Sequence, residues 1–275
     1  MMKRKPLSLL LLAFICCCTH LTEDEERIVI DGWIENGRPP VVTVSASLVV
    51  GRQQQWDKDD LAESVLTDAE VTISDGEKSV ILTGMAAPDY FPPFIYTTPD
   101  LQGEPGKTYS LKVRCGNREV SATTMLPLPA ELDLVQAEQV EAGAYVIHCR
   151  FTPRKGAYYA FFTRREEKEK TFLPAFMSLI DGDSVLSEVD MRLTSGIDIT
   201  SSSRHEQYFS SGERVSLRFC VIDRRAYDFW KGYEDAWLLT HNPFFPVSSG
   251  IPTNVTGGYG LWAGYSSSYY EIVIP

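Results

Sequence analysis

The residues best placed for chemistry are three adjacent cysteines, Cys16, Cys17 and Cys18, which follow directly on an apolar run from Leu7 to Ile15 broken only by Ser8. A thiol at the end of such a run is a site for covalent acylation. Cys18 fits best, because Ile15 places an aliphatic side chain three residues before it and Cys17 a small one immediately before it. Cys17 is second, with Phe14 in the first of those places, and Cys16 would need the large Ile15 as its immediate neighbour. Lys3-Arg4-Lys5 precede the run, so residues 1–17 have the charged, apolar and cleavable parts of an export signal. At roughly ten apolar residues the run falls short of the ~20 that span a bilayer. Durable anchoring then rests on several acyl chains carried by one cysteine. The expected product touches membrane lipid through acylated Cys18 and keeps its body outside the cytoplasm.

Other reactive residue types are present without the spacing that chemistry needs. No G-x-S-x-G elbow, H-E-x-x-H helix or phosphate-cradling glycine loop occurs. His20, His148, His205 and His241 show no ligand spacing, and His205-Glu206 lacks a second histidine. His148 and Cys149 alternate to opposite faces of a strand, so they cannot converge as base and nucleophile. Asp181-Gly182-Asp183 lacks the later oxygen ligands of a calcium loop and reads as a solvated turn. Paired carboxylates for glycoside hydrolysis need only spatial proximity, which keeps a hydrolase open as the least favoured reading. No catalytic residue, metal or cofactor is expected. Of the cysteines beyond the signal, Cys115, Cys149 and Cys220, the last two lie in strand-like runs. An oxidising compartment permits one disulfide, and neighbouring strands could join Cys149 to Cys220. The alternative is that they stay free as small buried hydrophobes.

The charge balance excludes one class of partner. Removing residues 1–17 takes away Lys3, Arg4 and Lys5 and no acid, so the net charge of −11 becomes −14. Such a surface repels nucleic acid. The 44% hydrophobic content suffices for a packed core.

The elements that would carry any surface are mainly β. Residues 18–26, with Glu23-Asp24-Glu25-Glu26, read as an acidic tether. Residues 27–127 give short alternating runs separated by turn residues, as in an all-β sandwich. Among them are Ile28 to Ile34, Val41 to Ser47, Ala69 to Ser74 with a hairpin at Asp75-Gly76, and Gly106 to Val113. Met125-Leu126-Pro127-Leu128-Pro129 marks a boundary. Residues 130–275 read as a second β-rich domain with one amphipathic helix near 223–241. Asp223 is its N-cap, and Ala226, Phe229, Trp230, Tyr233, Ala236 and Trp237 recur at helical spacing. The mixed charges of Arg164 to Lys170 indicate a solvated loop. From Asn242 to Tyr270 aromatics and glycines alternate with almost no charge. Phe244, Phe245, Tyr259, Trp262 and Tyr265 are candidate partner-binding residues, since uncharged aromatic surfaces form interface cores. The competing reading places these rings in the domain's own core.

Three stretches resemble a family of Bacteroidetes outer-membrane lipoproteins known as domain of unknown function 4249. They are Ile28-Val29-Ile30-Asp31-Gly32-Trp33-Ile34; Ala69 to Asp75 with Gly103 to Leu111; and Asn242-Pro243-Phe244 leading to Asn254 through Tyr265. The resemblance implies an N-terminal sandwich of the immunoglobulin-like, carboxypeptidase-regulatory type. It also implies a place beside TonB-dependent receptors, with no catalytic residues to carry over. Glu23 to Glu26 resemble the acidic signal that sends such lipoproteins to the cell exterior, and Asp183-Ser184-Val185 resembles the sequence these bacteria O-glycosylate, at Ser184. The leading expectation is a surface lipoprotein that assists a TonB-dependent transporter. A stand-alone glycan- or protein-binding module is second.

Overall fold

The computed structural model of the chain describes residues 26–47, 62–197, 205–240 and 250–275. Strand accounts for 52% of it, which makes the protein mainly β with one long helix. The first half contributes β1 (Ile28–Glu35), β2 (Val41–Ala46), β3 (Glu70–Ser74), β4 (Ser79–Ile81), β5 (Thr83–Ala86), β6 (Phe94–Thr97), β7 (Thr108–Cys115) and β8 (Arg118–Met125). The second contributes β9 (Leu134–Glu141), β10 (Ala144–Phe151), β11 (Tyr158–Arg165), β12 (Leu173–Pro174), β13 (Ile180–Asp181), β14 (Val189–Leu193), β15 (Phe209–Ser210) and β16 (Arg214–Ile222). Helix α1 (Arg224–Thr240), β17 (Val255–Thr256) and β18 (Tyr259–Val273) complete the order.

Local chemistry explains the regular parts. In β7 the side chains of Tyr109, Leu111, Val113 and Cys115 are buried while Thr108, Ser110 and Arg114 are exposed, the two-residue period of a strand with one covered face. The β3–β4 hairpin turns at Asp75-Gly76, where Asp75 Oδ1 accepts from the backbone N–H groups of Glu77 at 3.1 Å and Lys78 at 2.8 Å. Gly76 there has a φ of +92°, which a side chain would strain. Helix α1 starts where Asp223 Oδ1 accepts from the Ala226 N–H at 2.8 Å, so one of the orphan donors of the first turn is satisfied.

One nine-stranded sheet runs through both halves in the order β12-β11-β16-β18-β1-β2-β6-β5, with β13 also on β11. Its hinge line is the 15-residue β18. The first part of β18 pairs in parallel with β1, from Val29↔Tyr259 to Glu35↔Tyr265, and the remainder pairs antiparallel with β16. A five-stranded sheet (β17-β8-β7-β3-β4) covers one end of it, and a four-stranded sheet (β14-β10-β15, with β9 on β10) covers the other.

Both small sheets lie on the same face, as the alternation along β18 shows. Trp262 enters a first core with Ile30, Val44, Val71, Leu111 and Val120. Tyr270, Ile272 and Ile274 border a second with Ile147, Phe151, Phe161, Leu217 and Phe219. Between these, the segment linking the lobes crosses β18 at Gly264, Ser266 and Ser268. Gly264 N–H donates to Thr124 Oγ1 at 2.9 Å, Ser266 donates to the Pro127 carbonyl, and Ser268 donates to the Ala130 carbonyl at 2.9 Å. A Cβ on Gly264 would stand 2.5 Å from the Met125 carbonyl oxygen, so only glycine lets the linker pass. After this linker the chain builds the second core, and Val255 and Trp262 return to the first.

The opposite face is covered by α1. Ala226, Phe229 and Trp230 pack on Ala160, Phe162, Cys220, Ile222, Leu261, Ala263 and Tyr265. Each buried aliphatic or aromatic side chain on these faces contributes about 1.5–3 kcal/mol relative to exposure. Among the described residues no helix is long and apolar enough to cross a membrane.

Candidate functional site

Central position in a doubly covered sheet decides the fate of the aromatic tail. Trp262 is fully buried, and its Nε1–H donates to the Tyr109 carbonyl at 3.0 Å. Tyr265 points to the other face and is buried too, its hydroxyl accepting from Trp230 Nε1 at 2.8 Å. Burial pushes the Tyr265 hydroxyl well above the usual tyrosine range. Both are core residues, which corrects their assignment to a partner surface. Tyr259 alone of the described candidates is open, at 46% exposure, with the Arg27 guanidinium 5.1 Å from its ring centre. Phe244, Phe245 and Cys18 lie outside the described residues.

The possible Cys149–Cys220 disulfide does not form, and all three described cysteines are free and buried. Cys149 sits on β10 of the four-stranded sheet, in the second core. On β16 it is Phe219 and Val221 that face this core, so Cys220 points away, beneath α1, with Ser267 Oγ 3.3 Å from its sulfur. Burial pushes the Cys149 thiol up to about 12 and, opposed by Arg218, the Cys220 thiol up to about 11. A thiol reagent at pH 8 is expected to leave Cys149 and Cys220 unmodified in the native body and to modify both within seconds in denaturant. Native labelling of either, or an intact mass two hydrogens low, would contradict this arrangement.

The remaining sequence candidates occupy turns and polar side-chain clusters. Ser184 is exposed at the end of a short 3-10 turn, Gly182–Ser184, and Asp181 Oδ1 accepts from the Asp183 N–H at 2.9 Å to close that turn. His148 turns away from the core and meets Asp190 Oδ1 at 3.0 Å and Glu138 Oε2 at 3.4 Å. Glu206 serves Arg165 and Lys168 at 2.9 and 2.8 Å. Among the described residues no three His, Cys, Asp or Glu side chains converge as metal ligands.

Two features had no counterpart in local sequence patterns. The first is a buried polar knot beside α1. Arg218, with 11% of its side chain exposed, lies 3.6 Å from Glu35, which is 5% exposed. Tyr269 donates to the same Glu35 oxygen, and Arg218 Nε donates to Ser267 Oγ at 3.0 Å. The guanidinium stacks 4.7 Å from the Tyr265 ring centre and 5.4 Å from that of Phe162, while its Nη2 has no hydrogen-bond partner among the described residues. Glu35 and Arg218 are far apart in sequence, so no local spacing marks the pair.

The second is an open cleft of about 450 Å³ at the seam between the lobes. Met125, Leu128 and Tyr158 supply apolar surface, while Arg154, Lys155 and Arg224 stand around it. Asp223 also lines it, but its carboxylate is occupied by Thr124 Oγ1 at 2.9 Å and by the N–H groups of Met125 at 3.3 Å and Ala226 at 2.8 Å.

Fold and surfaces together define a mainly β protein with mixed sheets that do not close into a barrel. The chain belongs to the family described as Domain of unknown function (DUF4249), whose model matches residues 19–271. This is the Bacteroidetes outer-membrane lipoprotein family that the sequence stretches resemble. No curated protein matches the chain. Among solved structures it is similar to a chain of a cytokine receptor complex, at 12% identity over 72% of this chain and 86% of that one, with a TM-score of 0.24. It is also similar to the chicken CNTN1 FN1–FN3 domains, at 9% identity over 89% of this chain and 63% of that one, again with a TM-score of 0.24. Scores this low define no common fold.

Proposed function

We propose that this protein is a surface-facing, lipid-anchored accessory of a TonB-dependent uptake system in the outer membrane, where it caps the transporter or helps it capture cargo. Membership of the outer-membrane lipoprotein family over residues 19–271 is the observation that carries the reading. The body supports it in a specific way. Two lobes joined through β18 form one platform, a construction suited to docking beside a membrane partner. In this reading the first lobe is the immunoglobulin-like sandwich that the family implies.

The test is purification of a tagged full-length protein from outer membranes dissolved in mild detergent. Stoichiometric recovery of a TonB-dependent receptor is expected. Recovery of the lipoprotein alone, together with glycan or peptide binding by the isolated body, would replace this reading with that of a stand-alone binding module.

Membrane attachment makes its own prediction. Cys18→Ser is expected to abolish incorporation of labelled palmitate and to release the protein from the membrane fraction. Full labelling of that variant would move the lipid to Cys17.

A further inference from the structure

We propose that the cationic cleft at the lobe seam receives an extended acidic segment of the membrane partner. The inference rests on the accessory reading above and gives that reading a docking site.

Charge makes this cleft an exception on its own molecule. The whole chain carries a net charge of −11, yet the cleft is bordered by exposed Arg154, Lys155 and Arg224, with exposed Arg225 on the next position of α1. Arg224 is paired with Asp228 at 2.9 Å and rests on Tyr158. Arg154 instead donates to the Leu128 carbonyl at 2.5 Å, and Lys155 donates to the carbonyls of Asp183 at 3.3 Å and Val185 at 3.5 Å. Among the described residues no carboxylate forms an ion pair with Arg154, Lys155 or Arg225. The one acid in the lining, Asp223, is saturated by its own hydrogen bonds. The N-terminus of α1 adds the positive end of a 17-residue helix to the same place. An anionic occupant is the complement that this arrangement selects.

The floor says what kind of anion. Leu128 is 59% exposed and Met125 47% exposed, although both are large apolar side chains. A free inorganic anion would gain nothing from them, whereas a peptide alternating acidic and apolar side chains meets rim and floor together.

The experiment uses the tagged full-length protein and the co-purifying receptor. Arg154→Glu with Lys155→Glu is expected to lower recovery of the receptor about tenfold or more, the equivalent of at least ~1.4 kcal/mol. Lys78→Glu with Lys170→Glu makes the same charge change at exposed positions away from the cleft and is expected to leave recovery unchanged. Wild-type recovery by the Arg154/Lys155 variant, or an equal loss in both variants, would overturn the cleft proposal while leaving the accessory reading in place. Failure of the wild-type protein to recover any receptor would overturn both. A photo-crosslinking residue at Leu128 gives a readout independent of charge reversal and of any effect on folding. It is expected to trap an acidic stretch of the receptor, and capture of lipid or of a non-acidic segment would count against the proposal.

Discussion

Replacing Trp262 with Ala is expected to destabilise the body by about 3–5 kcal/mol, the range for removing a large aromatic side chain from a packed core. The indole fills the first core between β1 and β7, and its Nε1–H is the partner of the Tyr109 carbonyl. Truncation leaves a cavity and strands that carbonyl in an apolar setting, and the two costs add. For a chain of this size the loss corresponds to a fall in melting temperature on the order of 10 °C. Trp262→Phe is milder, because it keeps a six-membered ring in the core and loses the pyrrole portion together with the hydrogen bond. It is expected to cost about 1–3 kcal/mol. Thermal and urea melts of the soluble body check both values, and a loss below ~1 kcal/mol for Trp262→Ala would contradict the core assignment. Tyr259→Ala is expected to change stability little, since the ring is already open to solvent on one side.

Arg218→Ala is expected to be comparably damaging for an electrostatic reason. It leaves Glu35 buried without its nearest cation, and breaking a buried pair by removing one partner typically costs about 3–5 kcal/mol. Arg38 also pairs with Glu35, at 4.0 Å, but with its side chain 59% exposed it offsets only part of the loss. The guanidinium also fills space between Phe162 and Tyr265, so packing is lost together with charge. The double replacement Glu35→Leu with Arg218→Met removes both charges and keeps the volume. It is expected to recover most of the stability, because a buried ion pair is often worth no more than a well-packed apolar one. Melts of the wild type and these two variants decide the matter. A double variant less stable than Arg218→Ala would show instead that the knot contributes net stability.

The parts of the fold that were legible in the sequence are those written in neighbouring residues. Alternation of Tyr109, Leu111 and Val113 marked the strand that runs from Thr108 to Cys115, Asp75-Gly76 a hairpin, and Asp223 with the spacing of Ala226, Phe229 and Trp230 the helix. What stayed hidden depends on partners distant in the chain. The parallel pairing of β1 with β18 joins segments from opposite ends of the described chain, and nothing local announces it. It also explains why Trp262 and Tyr265 were ambiguous. A central strand covered on both faces and the core of an interface call for the same uncharged, aromatic-rich pattern. The charged run from Arg164 to Lys170 misled in the opposite sense. Arg165 is buried and bonds Glu169 at 2.8 Å, each side chain 10% exposed, so a stretch that reads as solvated contains a sheltered ion pair. Of the cleft proposed as a docking site, the sequence showed only the linker Met125 to Pro129. The cleft's cations come from the β10–β11 connection and from the start of α1, which only the folded chain brings together.

The most direct test of the proposed role is a membrane-impermeant amine- and carboxylate-reactive crosslinker added to intact cells, followed by mass spectrometry of the linked peptides. Crosslinks between residues of this body and the external loops of a TonB-dependent receptor are the predicted result, which would establish the partner and the side of the membrane at once. Crosslinks confined to the protein itself, or a body wholly untouched by the reagent until the cells are broken, would contradict it.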